Sequence, residues 1–423
     1  MKNPKTLIDS AYRKKNGNLA IIIKQLPIEN LVFEGGEPKG LVYIGAVEVL
    51  EKNGVLENIK NVGGSSAGAM TALALGLGYK AHEIKEIVSN VELGDFMDIR
   101  DPDSPSVIRT VKKRLSNLLF GDEHKGTGLF LGDKLQQWSR DVIAKRLEAA
   151  NSRGWNEVAD KLKNERDYKF TFRQLKEFGD AFPELGIKTI CFTGTNYTDQ
   201  KLEFFDYHKT PDLPIDLAVR ISMSLPWFFK SVKYNGKVYM DGGCLNNYPM
   251  VIFDEHPYFQ PGRNKFLTGN QGVWNQNICT LGLKVDSQDE IRKILWEGAK
   301  QTQESWISKL GSYLANQLKD LLSGVQNTDA EKLLNQDIYE KYPQRTIQIP
   351  DLGYSTFKFN LTNEDKEKLA DSGRHATAEW LNNYYQKDTA VEIEVTPQEL
   401  GTFGKINNLS PEEIARLASI KRP

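Results

Sequence analysis

The stretch that most constrains this 423-residue chain is 30–77, where two short apolar runs each enter a glycine-rich turn and leave it as a helical pattern. Leu31-Val32-Phe33 leads into Gly35-Gly36-Glu37-Pro38-Lys39-Gly40, and residues 41–53 then carry apolar side chains at helical spacing, closed by Asn53-Gly54. A second run near 59–62 enters Gly63-Gly64-Ser65-Ser66-Ala67-Gly68, and 69–77 follow as an apolar, small-residue helix. Strand, loop, helix, strand, sharp turn, helix implies parallel strands joined by crossover helices. The expected fold is α/β, with a central, largely parallel sheet flanked by helices.

Around that unit the chain is more varied. Residues 1–27 read as a leader, a short helix and then a strand at 19–23. Residues 103–165 are rich in Lys, Arg, Asn and Ser, with a Gly-rich knot at 121–128 and helical stretches at 106–119 and 133–150. They read as an insertion over one end of the sheet and as a candidate lid, with Leu115, Leu118, Leu119 and Phe120 as its apolar inner face. Strand character returns at 188–194, 203–205 and 232–240, then at 346–349 and 357–359. Residues 289–322, bearing Trp296 and Trp306, and 363–387 read as helices. Ser410-Pro411-Glu412-Glu413 is a helix-start signature, so 386–423 is expected to be a tail or the start of a further module.

Composition excludes several classes. Lys plus Arg (55) almost cancels Asp plus Glu (56), so bulk charge gives no reason to expect a nucleic-acid partner. The local run Lys112-Lys113-Arg114 reads as a solvated helix face, with contact to an anionic surface as the alternative. Cys191, Cys244 and Cys279 cannot all pair and match no zinc spacing, which points to a reducing compartment. Residues 1–15 are polar without the apolar core of a secretory signal, and the longest apolar stretches fall far short of the roughly 20 residues that span a bilayer. A soluble chain, not an integral membrane one, is expected.

Three segments carry chemistry. Gly64-Ser65-Ser66-Ala67-Gly68 fits G-x-S-x-G, the turn that presents a nucleophilic serine between a strand and a helix. The following helix aims its positive end and unpaired N–H groups at Ser66, favouring negative charge there. The loop at 35–40 fails as a P-loop, because Gly40 is followed by Leu41, and as a dinucleotide loop, because Glu37 occupies the middle glycine. It remains either a source of backbone donors to an oxyanion or a plain glycine turn. A serine hydroxyl needs a base, and Asp241-Gly242-Gly243 follows a strand end, where parallel sheets place their ligands. The five histidines (His82, His124, His208, His256, His375) sit in no comparable turn, although His256 fits a Ser…Asp…His chain order by position.

Glu34 to Gly40, Gly64 to Gly68 and Asp241-Gly242-Gly243 together resemble, in order, the three motifs of the patatin-like phospholipase family. Thr193-Gly194-Thr195-Asn196, Ile221-Ser222-Met223-Ser224-Leu225-Pro226 and Asn247-Tyr248-Pro249 agree with it. The resemblance covers residues 28–385. It implies a patatin-like α/β/α fold and a Ser–Asp dyad, with Ser66 as nucleophile and Asp241 as base without histidine. The oxyanion or substrate would be met by Gly35, Gly36, Glu37, Lys39, Gly40 and Ala67, while Gly64, Gly68, Gly242 and Gly243 shape the turns. It further implies phospholipid or lysophospholipid esters at a membrane surface as substrates, no cofactor and no metal. The insertion and tail resemble those of patatin-like toxins that bacterial pathogens deliver into host cells, some silent until a host protein binds. A protein activator, and either a cytoplasmic or a host-delivered location, are therefore part of the expectation.

One departure matters. The family usually has a third glycine where Glu37 stands, and a carboxylate near a developing oxyanion repels it. Two other readings stay open: a non-catalytic or activator-dependent binding protein on the same fold, and a Ser–His–Asp α/β-hydrolase.

Overall fold

The computed structural model describes residues 8–23, 28–36, 39–89, 96, 130–225, 229–254, 257–258, 265–268, 274–277, 279–286, 345–354, 361–385, 391–398, 400–401 and 410–421. In chain order the strands are β1 (Ile8–Arg13), β2 (Leu19–Ile23), β3 (Asn30–Phe33), β4 (Asn61–Gly64), β5 (Thr189–Asn196), β6 (Lys201–Phe205), β7 (Val232–Tyr234), β8 (Lys237–Asp241), β9 (Lys265–Thr268), β10 (Trp274–Asn277), β11 (Thr280–Asp286), β12 (Thr346–Pro350) and β13 (Val391–Val395). The α-helices are α1 (Val42–Lys52), α2 (Ala67–Gly76), α3 (Ala81–Ser89), α4 (Asp133–Glu148), α5 (Arg153–Asn164), α6 (Phe172–Ala181), α7 (Ile215–Ser222), α8 (Asn363–Trp380) and α9 (Pro411–Ala418).

The main sheet runs β12-β11-β3-β4-β5-β8-β7, with β6 also paired to β5. From β12 to β5 every pairing is parallel, and β6, β7 and β8 add antiparallel pairings. This is the expected largely parallel sheet. Alternation along the strands divides the core between its faces. Leu31, Phe33, Val62, Ile190 and Phe192 join the main cluster, while Val32 and Cys191 pack with Met250, Ile252 and Phe253. Helix α2 is buried along all ten residues, as its uniformly small and apolar sequence demands.

Several boundaries moved. The second strand runs through Gly63 and Gly64 rather than ending before them, and α2 begins at Ala67. Residues 232–240 are two strands, because Asn235 (φ 48°) and Gly236 (φ 76°) form a two-residue hairpin turn. Helix α8 stops at Trp380 and passes into a π turn at Leu381–Tyr385. Within the candidate lid, Leu135, Ile143, Ala144 and Leu147 of α4 lie in the main core. The buried Arg140 reaches Asp216 on α7 at 3.2 Å and the carbonyls of Leu162, Glu165 and Tyr168. Residues 106–119 (with Leu115, Leu118 and Leu119), 121–128, 289–322 and 357–359, together with Phe120, Glu37, His124 and His256, lie outside the described residues.

The short helix expected near the start is instead strand β1. It pairs with β2, and β2 pairs with β13, so the segments read as leader and tail share one antiparallel sheet. Arg13 fastens it further, donating to the carbonyls of Ala418 and Ile420 at the end of α9. The Ala418 carbonyl is one of the acceptors a helix C-terminus leaves open, and Ile420 follows two residues on. Helix α9 starts on the anticipated capping box of Ser410 and Glu413.

Candidate active site

Strand β5 organises the site. At Phe192 it pairs with Gly64 of β4 and Phe205 of β6 at once, so those two strands occupy opposite edges. At 194–196 it pairs with β6 and β8 at once, which puts β8 on the β4 edge. One strand runs with β5 and the other against it. They therefore end facing each other, Gly64 opposite Phe192 and Asp241 opposite Gly194. Two residues along a strand is about 6.6 Å, a gap that one serine side chain bridges.

That serine is Ser66. The turn carrying it is tight because backbones meet there: a Cβ on Gly64 would lie 2.4 Å from Gly68 O, and one on Gly68 2.4 Å from Phe33 O. The compression leaves Ser66 at φ 51°, ψ −125°, a conformation that costs a non-glycine residue about 1–3 kcal/mol. Ser66 Oγ donates to Asp241 Oδ2 at 2.8 Å. Asp241 Oδ1 accepts the Gly243 N–H at 2.7 Å, and its main chain is fixed by Thr195 Oγ1 on its carbonyl and by Ser224 O on its N–H. Burial pushes the Asp241 carboxyl up to about 7, against the lowering pull of the bonds from Ser66 and Gly243. The carboxylate is thus a far stronger base than an exposed aspartate.

The glycine loop divides in two. Gly35 is an anchor: its N–H goes to Asn247 O at 2.9 Å and its carbonyl accepts Asn247 Nδ2 at 3.0 Å. Its N–H is therefore taken. Gly36 sits at φ 135° with open space beside it. Among the described residues no acceptor meets its N–H, nor that of Ala67 at the start of α2. Lys39, Gly40 and Leu41 form one 3₁₀ turn, which sets Gly40 against Ala67. Gly242 and Gly243 open the turn after Asp241, and the Gly242 carbonyl accepts the N–H groups of Leu245 and Asn246.

No histidine among the described residues bonds to Ser66 or Asp241. His82 and His375 are exposed, and His375 Nδ1 engages Asp371 O on its own helix. His208 stacks edge-on between Tyr207 and Tyr258.

The model of the patatin-like phospholipase family matches residues 31–254, from β3 through the Asp241 turn. This chain belongs to that family. Its relatives include the uncharacterized protein R571 of Acanthamoeba polyphaga mimivirus, 27% identical over 234 residues, a match covering 55% of this chain and 64% of R571. That is under two thirds of the relative's length. The probable lipid hydrolase 463L of Invertebrate iridescent virus 6 is 26% identical over 322 residues, covering 75% of this chain and 89% of that one. The crystal structure of VipD from Legionella pneumophila shares the patatin-like fold, with a TM-score of 0.50 at 18% identity over 99% of this chain and 78% of VipD. Among the described residues no helix is long and apolar enough to cross a membrane.

Sequence reasoning noticed 221–226 and 247–249 without giving them roles. In the patatin-like site Ser222 Oγ accepts the Ser66 N–H at 3.2 Å, and Asn247 ties the glycine loop to the Asp241 turn. The only signal for either was a polar residue near a motif, 156 and 212 positions from its partner.

Proposed function

We propose that this protein is a serine acyl hydrolase acting on lipid esters through Ser66 and Asp241. The observation that carries the proposal is the 2.8 Å bond from Ser66 Oγ to Asp241 Oδ2, made by a serine held at positive φ on a strand-to-helix turn. Such strain concentrates at functional sites, and the family is named for phospholipase activity. Ser66 Oγ attacks the acyl carbonyl as its proton passes to Asp241 Oδ2. The oxyanion faces the N–H groups of Gly36 and Ala67, backed by the positive end of α2. Collapse expels the alcohol, which takes the proton from Asp241 and leaves an acyl group on Ser66. Water then attacks that ester, Asp241 accepts its proton, and the fatty acid departs as Ser66 recovers its hydrogen. Each donor in such a site is typically worth about 2.7–4 kcal/mol of transition-state stabilisation.

Phospholipid and lysophospholipid vesicles, offered with and without a eukaryotic cell extract, test the proposal. Fatty-acid release that disappears in Ser66→Ala supports it. Release only with extract identifies an activator-dependent enzyme. No release in any condition, from protein whose fold is intact, favours the non-catalytic reading.

A further inference from the structure

We infer that Arg220 is a positioning residue for the Ser66–Asp241 pair, acting through the turn at 222–224; this rests on the function proposed above. The two residues of the pair belong to different elements, yet each gives its main-chain N–H to that one turn. Ser66 donates its N–H to Ser222 Oγ at 3.2 Å, and Asp241 donates its N–H to Ser224 O at 3.0 Å. The turn is the irregular end of α7. Its own main-chain bonds, Met223 N–H to Val219 O, Ser224 N–H to Ile221 O and Leu225 N–H to Met223 O, close the turn but do not tie it to the neighbouring chain.

Arg220 supplies the hold. It is buried, and its NH1 donates to Ser224 Oγ at 2.5 Å while the same hydroxyl donates to Arg220 O at 2.6 Å. NH2 reaches two chain segments beyond the turn, Leu131 O at 2.6 Å and Lys230 O at 2.8 Å. Those segments lie side by side, joined by the bridge between Phe130 and Phe229, and the guanidinium sits 5.4 Å from the Phe229 ring. One planar fork thus pins the turn to a two-segment wall, which a lysine's single ammonium cannot reproduce.

Gly132 adds an independent observation. Its φ is 78°, and a Cβ there would lie 2.3 Å from Arg220 Nε. The chain opposite the guanidinium is shaped to receive it. Any side chain at 132 displaces either the fork or the wall.

The test uses the full chain in three forms: wild type, Arg220→Lys and Gly132→Ala. Active sites are counted by a fluorophosphonate probe, ester turnover is expressed per labelled site, and crystal structures are solved of each. We expect wild-type levels of labelled sites at the end of reaction, KM within about twofold, and kcat per site lower by about tenfold to a hundredfold. That is the range for misplacement of a reacting group by up to about 1 Å. The structures of both variants should show the Ser66–Asp241 bond lengthened or broken. A merely structural role lowers the fraction of labelled sites and leaves kcat per site unchanged, which overturns the inference. An intact 2.8 Å bond in both variant structures overturns it whether or not the protein hydrolyses lipid. A wild type that neither labels nor turns over, with the bond present, contradicts the proposed function instead.

Discussion

Gly64 and Asp241 end their strands on the same edge of β5, two residues apart, with Ser66 crossing the gap between them. Neither strand end alone makes a site. The chemistry follows from where parallel and antiparallel pairing meet along one strand, and each expectation below rests on that junction.

The first concerns pH. In the proposed mechanism Asp241 must be ionised to accept the serine proton, and burial pushes its carboxyl up to about 7. Hydrolysis per site should therefore fall about tenfold for each pH unit below that value. A pH–rate profile of kcat/KM on a neutral ester checks it. A plateau continuing down to pH 5 contradicts the assignment of the base.

The same burial costs stability. Between the unfolded value near 3.8 and the folded value of about 7, the native state keeps a proton that the unfolded chain has released. Stability from this group therefore falls as pH rises through that window, and the whole cost is present above it. At about 1.36 kcal/mol per pH unit, the upper limit is roughly 4 kcal/mol. Asp241→Asn should be inactive yet raise Tm by a few degrees at pH 8, with almost no gain at pH 4. Thermal melts at the two pH values decide it.

Strain at Ser66 gives a third expectation. Ser66→Ala keeps a side chain at φ 51°, whereas Ser66→Gly relieves a conformation worth about 1–3 kcal/mol and gives back about 0.5–1 kcal/mol in backbone entropy. Both variants should lose hydrolysis. Ser66→Gly should melt higher than Ser66→Ala, the reverse of the usual order for alanine and glycine.

Much of this was legible beforehand. The G-x-S-x-G turn, the Asp241 turn and the parallel β3–β4 unit all lie within local patterns of a few residues, where glycine spacing and apolar periodicity speak directly. What escaped was of two kinds. Asn235-Gly236 and the capping box of Thr171 and Gln174 were present as local signals but were not used, so a hairpin and α6 were missed. The roles of Ser222, Asn247 and Arg220 depend on partners far along the chain, several of them main-chain atoms, and no residue type announces such a bond. The pairing of β13 with β2 is hidden for the same reason, because strand partners 368 to 376 positions apart leave no periodicity.

Histidine gives a fourth expectation. His375 is exposed and bonded to its own helix, so His375→Ala should keep kcat/KM within about twofold, as surface substitutions usually do. A loss of several orders of magnitude in folded protein restores the Ser–His–Asp reading.

The proposed mechanism has Asp241 alone activating Ser66, and covalent labelling reports on that step. The protein is treated at pH 8 with a long-chain alkyl fluorophosphonate, and its intact mass and tryptic peptides are followed over time. One adduct per chain is expected, on Ser66, absent in Ser66→Ala and slowed by at least about a hundredfold in Asp241→Asn, the scale of a lost general base. An adduct on another residue, or labelling of Ser66 at the same rate in Asp241→Asn, contradicts it.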